Sequence, residues 1–412
     1  MNFALRAGNC LRHKDWLELQ RRAIFDFSKW DIQCEDHSVL APFPLLLERD
    51  TAQYLNETAE ALCKEALEAE TEILSRPELL ASLGLPRVLR RVLQKAAGNP
   101  TVARETRVMR FDFHPTADGW RISEVNADVP GGYVEASGWN CLFAQKWPGT
   151  VPPPPPSEAY AQAVLRTAGT NALVAFVHAT AYSDDRQVMQ HLAQCFRRHG
   201  LRACLLSPAH LRWKEGRAEI CSAFASGYPD AIVRFFPADW LPNLDRDRCW
   251  KPFFQPTKTI QSNPGSAIVL QAKRFPLVWD QLRTKLSAWR KMLLETRDPG
   301  DLGGAFDDTW VLKPNLGRVG EGVAIEGITP RVELLKLVQA ARRRPEEWVL
   351  QKRFATLPVL TETRLKYPCI GVFTVGGKAA GFYGRMAESP IINQNAQDVA
   401  LLIQSQPRGR AA

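Results

Sequence analysis

The residues best suited to chemistry fall in a few short stretches. In residues 107–113 (RVMRFDF), Arg110 and Asp112 alternate with Met109, Phe111 and Phe113. In residues 120–128 (WRISEVNAD), Glu124 and Asn126 are again two apart. Residues two apart on a strand share a face, so each stretch reads as a strand that projects its polar pair to one side. Residues 114–119 join them and end in Asp118-Gly119, a turn signal that makes the pair a hairpin. The hairpin sets Asp112 against Glu124 to within about one residue of register. Facing carboxylates repel unless a cation lies between them, and hard oxygen donors of this kind suit Mg2+. An exposed hairpin face with solvated charges is the plainer alternative.

A second constellation lies in residues 313–322 (KPNLGRVGEG). Lys313 ends an expected strand, and Gly317, Gly320 and Gly322 follow it. Glycines let backbone amides approach an anion, and the lysine adds charge for phosphate oxygens. The stretch lacks the lysine–serine/threonine pair of a P-loop and the spacing of a dinucleotide fingerprint. Taken alone, a simple β-turn explains it equally well. Lys273 precedes an expected helix over residues 277–294, where a solvated first-turn lysine is the alternative.

The elements that must carry these residues can be read around them. Residues 1–105 are expected to be helical, with Leu62, Ala66, Leu67, Ile73 and Leu74 near one face of residues 59–74. Gly98-Asn99-Pro100 punctuates the end of that part. Five prolines, Pro152 to Pro156, make a stiff extended connector and mark a boundary. Residues 173–177, 201–206 and 231–236 read as strands, and residues 186–198 as a helix, which points to a parallel sheet. Strands are also expected over 310–313, 322–325 and 348–351, with a tight hairpin over 369–385 turning at Gly376-Gly377. The tail, residues 406–412, is expected to be loose.

Composition narrows the function classes. Apolar residues are 45% and charged residues 24%, which excludes a disordered or fibrous chain. The net charge of +9 is spread along the sequence, so it points to a polyanionic cofactor and not to nucleic acid. No apolar run is long enough for a membrane span, and the first residues lack a secretory signal pattern. Nine cysteines, without a Cys-x-x-Cys pair, read as reduced thiols of a cytoplasmic protein. Neither they nor the seven histidines show a metal-ligand spacing.

Taken in order, the pieces resemble the ATP-grasp synthetase part of the glutathionylspermidine synthase family. Arg110-Phe-Asp112 and Glu124-Val-Asn126-Ala-Asp128 resemble its metal-binding segment, and residues 313–320 its phosphate-covering loop. Residues 351–358 resemble its adenine-side strand, and residues 368–395 its closing segment. The resemblance runs from Ala4 to Ile403. It implies an α/β, permuted ATP-grasp fold, acids ahead of the nucleotide lysines, with an inserted Rossmann-like parallel-sheet domain. The implied division is 1–150, a helical part with the metal-binding hairpin; 157–260, a substrate-side α/β domain; and 261–412, the nucleotide-binding part.

The same resemblance implies roles. Asp112, Glu124 and Asn126 would hold Mg2+. Lys273, Lys313 and Gly320 would meet the phosphates of ATP, and Gln351, Lys352, Phe354 and Ile391 would border the adenine. Arg110 and Arg385 would hold the reacting carboxylate. The implied activity is amide formation between a small-molecule carboxylate and an amine through an acylphosphate. A phosphotransferase or a non-catalytic nucleotide-binding protein on the same fold is the alternative. Asp128, Glu135 and Arg234 are weaker substrate-side candidates, Arg234 as a carboxylate clamp and the two acids as helpers of the amine. The amidase of the bifunctional relatives is not expected, since Cys10 and His13 are too local to act as its pair.

Overall fold

In the computed structural model, residues 5–96, 106–244, 250–301 and 306–405 are described. Val108–Thr116 and Gly119–Asn126 form an antiparallel hairpin, with Asp112 directly opposite Glu124 and Arg110 opposite Asn126. A bulge after Asp112 passes over Ser123. The first strand extends beyond residue 113 through His114 and Pro115. The proline is accommodated near the strand end, where its carbonyl accepts the Leu357 N–H. Leu365–Val375 pairs with the free side of that strand, Gly371 opposite Asp112. Lys378–Ala387 and Gln397–Val399 follow outward, and Val359–Leu360 also joins Leu365–Val375.

Alternation gives this sheet two unlike faces. Met109, Phe111, Phe113, Ile370, Val372 and Phe382 are fully buried on one. That face packs on Arg49–Ser75, whose apolar positions Ala52, Leu55, Ala59, Leu62, Ala66 and Ile73 recur at helical spacing. Burying each large side chain contributes about 1.5–3 kcal/mol, which fixes the register and so turns Arg110, Asp112 and His114 to the other face.

A second sheet carries the lysine. Its order is Thr296–Arg297, Trp348–Lys352, Trp310–Pro314, Ala324–Ile325, all antiparallel. Leu312, Ala324 and Leu350 pack beneath the helix Arg331–Arg343 through Leu334 and Ala341. Val311, Lys313 and Gln351 therefore face the opposite way, toward the first sheet. A parallel sheet of Ile260–Ser262, Ala231–Arg234, Leu173–Val177 and Arg202–Leu206 makes the third unit, as the strand–helix–strand pattern requires. Pro156 opens the helix Pro156–Ala168 at its first turn, where a missing N–H costs nothing.

Two expectations need correction. The first hundred residues are not all helical: Leu5–Ala7 and Leu45–Leu47 are strands, and Leu45–Leu47 pairs in parallel with Leu401–Gln404. The partner is some 350 residues away, so no local signal marks it. The helix expected over 277–294 is instead a 3-10 stretch, Phe275–Gln281, and a short helix, Ser287–Met292. Between them the backbone N–H groups of Arg283 and Thr284 donate to Glu72, and in the first turn of the short helix those of Ala288 and Trp289 donate to Glu65. Tertiary acceptors on the long helix thus replace the intrahelical ones. Gly98-Asn99-Pro100 and residues 406–412 lie outside the described residues. Among the described residues, no helix is long and apolar enough to cross a membrane.

Candidate active site

The polar face of the hairpin sheet and the lysine face of the second sheet enclose a cavity of about 890 Å³. Arg110, Asp112, Glu124, Asn126, Lys273, Lys313, Gly320, Gln351, Lys352, Phe354, Arg385 and Ile391 all line it, as does Glu135. Asp128 and Arg234 do not. They form a buried ion pair with each other, and Asp128 also accepts the Ala238 N–H at 2.8 Å. Arg234 donates further to the carbonyls of Asn263, Phe236 and Pro264 at 3.2, 2.6 and 3.1 Å. Its charge and donors are spent inside the fold, so the expected carboxylate clamp is instead an internal tie.

Asp112 and Glu124 each meet a cation. Arg110 grips Asp112 with both edges of the fork, Nε to Oδ1 at 2.7 Å and Nη2 to Oδ2 at 2.9 Å. Asn126 Nδ2 also donates to Asp112 Oδ2 at 3.1 Å, leaving its carboxamide oxygen as an acceptor. A carboxylate offers about four lone-pair sites, so Asp112 keeps acceptor capacity. The arginine lies flat over Gly371, where a Cβ would meet its Cδ at 2.6 Å. Its other side faces the Tyr383 ring at 5.0 Å.

Glu124 lies 3.1 Å from Lys273 Nζ. Burial pushes its carboxyl up, but the charges of Lys273 and Lys313 more than offset this and hold it ionised. Lys273 Nζ also donates to the Gly317 carbonyl at 2.7 Å, which ties the glycine turn to the acid. Lys313 Nζ donates to Gln351 Oε1 at 2.6 Å and to the Ser123 carbonyl at 3.2 Å. Burial, reinforced by Lys273 and opposed by Glu124, pulls its ammonium down to about 8. A buried lysine held this way has an unmet need for negative charge, as a polyphosphate would supply.

The turn after Lys313 carries three left-handed residues, Val319, Gly320 and Gly322. A Cβ on Gly320 would lie 2.4 Å from the Ile392 carbonyl, so the turn can reach across the cavity only with glycine there. Arg318 anchors it on the far side by an ion pair with Asp239, over the Trp240 ring at 5.6 Å. Below the turn, Val311, Val323, Ile325, Phe354 and Ile391 make an apolar slot edged by Gln351 and Lys352.

Sequence reasoning missed several lining groups. His114 continues the alternation of Arg110 and Asp112; its Nε2 meets Ser123 Oγ at 3.0 Å, and burial pulls its imidazole down to about 4, leaving it neutral at pH 7. The signal was the two-residue spacing, obscured by Pro115. Arg385 Nη2 donates to the Asn393 carbonyl at 2.7 Å, and its Nε lies 3.9 Å from Asp398. Tyr383 Oη donates to Asp398 at 2.6 Å, and Lys29 is buried among Asp31, Glu135 and Asp398. Burial, aided by the charges of Asp398 and Asp31 and opposed by Lys29, pushes the Glu135 carboxyl up. No local pattern links Lys29 to residues 135 and 398.

Several sheets, one of them parallel, with an acid-and-lysine cleft between two of them make a mixed α/β fold of the kind found in ATP-grasp-like synthetases. The chain belongs to the glutathionylspermidine synthase preATP-grasp family, which matches over residues 15–404. Among solved structures, a glutathione synthetase-like effector from Globodera pallida, in its apo form, is similar with a TM-score of 0.64 and 12% identity, covering 94% of this chain and 96% of that one. That likeness concerns the fold. A putative gamma-glutamylcysteine synthetase from Methylobacillus flagellatus KT is similar at 13% identity and a TM-score of 0.44, over 79% of this chain and 88% of that one. No curated protein matches the sequence.

Proposed function

We propose that the protein is an ATP-dependent ligase that joins the carboxylate of a small peptide or amino acid to an amine through an acylphosphate. The observation that carries this reading is the meeting of Asp112 and Glu124 with Lys273 and Lys313, under a glycine turn, in one cavity. Lys273 and Lys313 balance the charge of the polyphosphate, and the slot of Val311, Ile325, Phe354 and Ile391 takes the base beside Gln351 and Lys352. Asp112, Glu124 and Asn126 fit a magnesium ion as a hard oxygen set, which would neutralise phosphate oxygens during transfer. Arg110 and Arg385 orient the acid and then its phosphorylated form. The turn at residues 317–322, latched through Arg318 to Asp239, excludes water that would hydrolyse the acylphosphate. Of the two acids considered as helpers of the amine, Glu135 lines the cavity in an ion pair with Lys29, whereas Asp128 is engaged with Arg234 away from it.

The test is product analysis. With magnesium, an acid and an amine, the protein should release ADP and phosphate in step with amide. AMP and pyrophosphate would replace the acylphosphate with an adenylate, and a stable phosphoester without amide would mark a phosphotransferase.

Two further outcomes follow from the geometry. Polyphosphate binding favours charged Lys313, whose ammonium is held near 8 by burial. ATP affinity is therefore full below that pH and falls by up to about tenfold per pH unit above it, as a titration series from pH 6.5 to 9.5 would record. Affinity that stays flat across this range would contradict the role of Lys313. In Gly371→Ala, the new Cβ overlaps Arg110 Cδ. Displacing the arginine by about 1 Å should cost on the order of a hundredfold in kcat/KM for the acid, with ATP affinity kept. Equal losses for both substrates would mean that the sheet itself had shifted.

A further inference from the structure

The first turn of Pro156–Ala168 meets the last turn of Ser183–Arg198, away from the cavity. Three metal-ligand types converge there. Glu158 comes from the first helix, Cys195 from the last turn of the second, and His199, four residues on, from the cap that ends it. Their donor atoms all lie within 4.8 Å of one another. Cys195 Sγ donates to Glu158 Oε1 at 3.2 Å, and His199 Nε2 contacts Glu158 Oε2. A four-coordinate zinc ion with metal–ligand distances of about 2.0–2.3 Å needs its ligands roughly 3.2–3.7 Å apart, so the triad needs only side-chain adjustment to form such a cage.

We propose that Glu158, Cys195 and His199 form a binding site for a borderline-soft divalent cation of the zinc class, separate from the ATP site. Thiolate, imidazole and carboxylate together select such an ion over magnesium, which takes oxygen donors. The sulfur is buried, whereas the Glu158 and His199 side chains are 35% and 22% exposed, so the ion enters from the solvent side and keeps a water as fourth ligand. Arg198 donates to Glu158 Oε1 at 3.1 Å, but its side chain is 57% exposed and yields that oxygen as the ion arrives. Binding deprotonates the thiol: the S–H bond breaks, the sulfur keeps the electron pair and forms the metal bond, and one proton leaves to solvent. The ion would pin the ends of two helices that flank the parallel sheet. No metal-ligand spacing was expected from the cysteines and histidines, because Cys195 and His199 supply only two donors and the third, Glu158, lies 37 residues upstream on another helix.

The probe is Co2+, added in one equivalent to the chelator-treated full chain. A thiolate-to-cobalt band in the near ultraviolet should grow in, with loss of the band when Zn2+ is added. The band should be lost in Cys195→Ser and weakened in His199→Gln, a partly exposed position that tests the site if the buried serine variant does not fold. It should persist in Glu124→Gln, which separates it from cobalt bound beside Cys369 in the cavity. Absence of the band in the wild-type chain, or an undiminished band in folded His199→Gln, would overturn the proposal.

Discussion

Glu124→Gln should remove turnover and leave the fold intact. The carboxylate faces Asp112 across the hairpin and sits against Lys273. Removing its charge leaves Lys273 and Lys313 without their shared counter-charge and takes one of two acids from the proposed magnesium set. Charge stabilisation of this kind is worth several kcal/mol in phosphoryl transfer, so kcat should fall by at least roughly a hundredfold. The isosteric amide keeps the side chain's volume, and the apolar face of the sheet is untouched. A cooperative melt with an unchanged far-ultraviolet spectrum would establish that the fold persists. Wild-type turnover in the variant would sink the metal assignment.

Lys313→Ala should act on binding before chemistry. Its ammonium is buried and held by the Gln351 side chain and the Ser123 carbonyl. Losing a desolvated cation proposed to face the polyphosphate should weaken ATP on the order of a hundredfold, measured by direct titration. The decline of affinity above pH 8 should vanish with it, since the titrating group is gone. Unchanged affinity would place the nucleotide elsewhere. A weakened but still pH-dependent affinity would pass the titration to another group.

What the sequence carried, it carried through periodicity. The alternation of Arg110 and Asp112 with Met109, Phe111 and Phe113 placed the acids on one face because burial of the other face decides the register. Lys313 and Gly320 were legible because a strand must end where glycines permit left-handed turns. The cavity's far side was not legible, since Lys29, Tyr383, Asp398 and the Arg318–Asp239 latch are joined only by the fold. Arg234 was misread for the same reason: a charged residue at a strand end looks available until its partner, Asp128, is seen beside it. Glu65 and Glu72 broke an expected helix by accepting its backbone N–H groups from another element, a competition that local propensity cannot register.

The central claim is acyl activation, and trapping tests it most directly. The protein would be incubated with magnesium, ATP and hydroxylamine against a panel of carboxylic acids that includes glutathione and free amino acids, and hydroxamate would be measured. The account predicts hydroxamate with a restricted set of acids, formed together with ADP and lost in Glu124→Gln. ATP that binds with wild-type dependence on Lys313, yet yields no hydroxamate with any acid even when an amine is added, would contradict it.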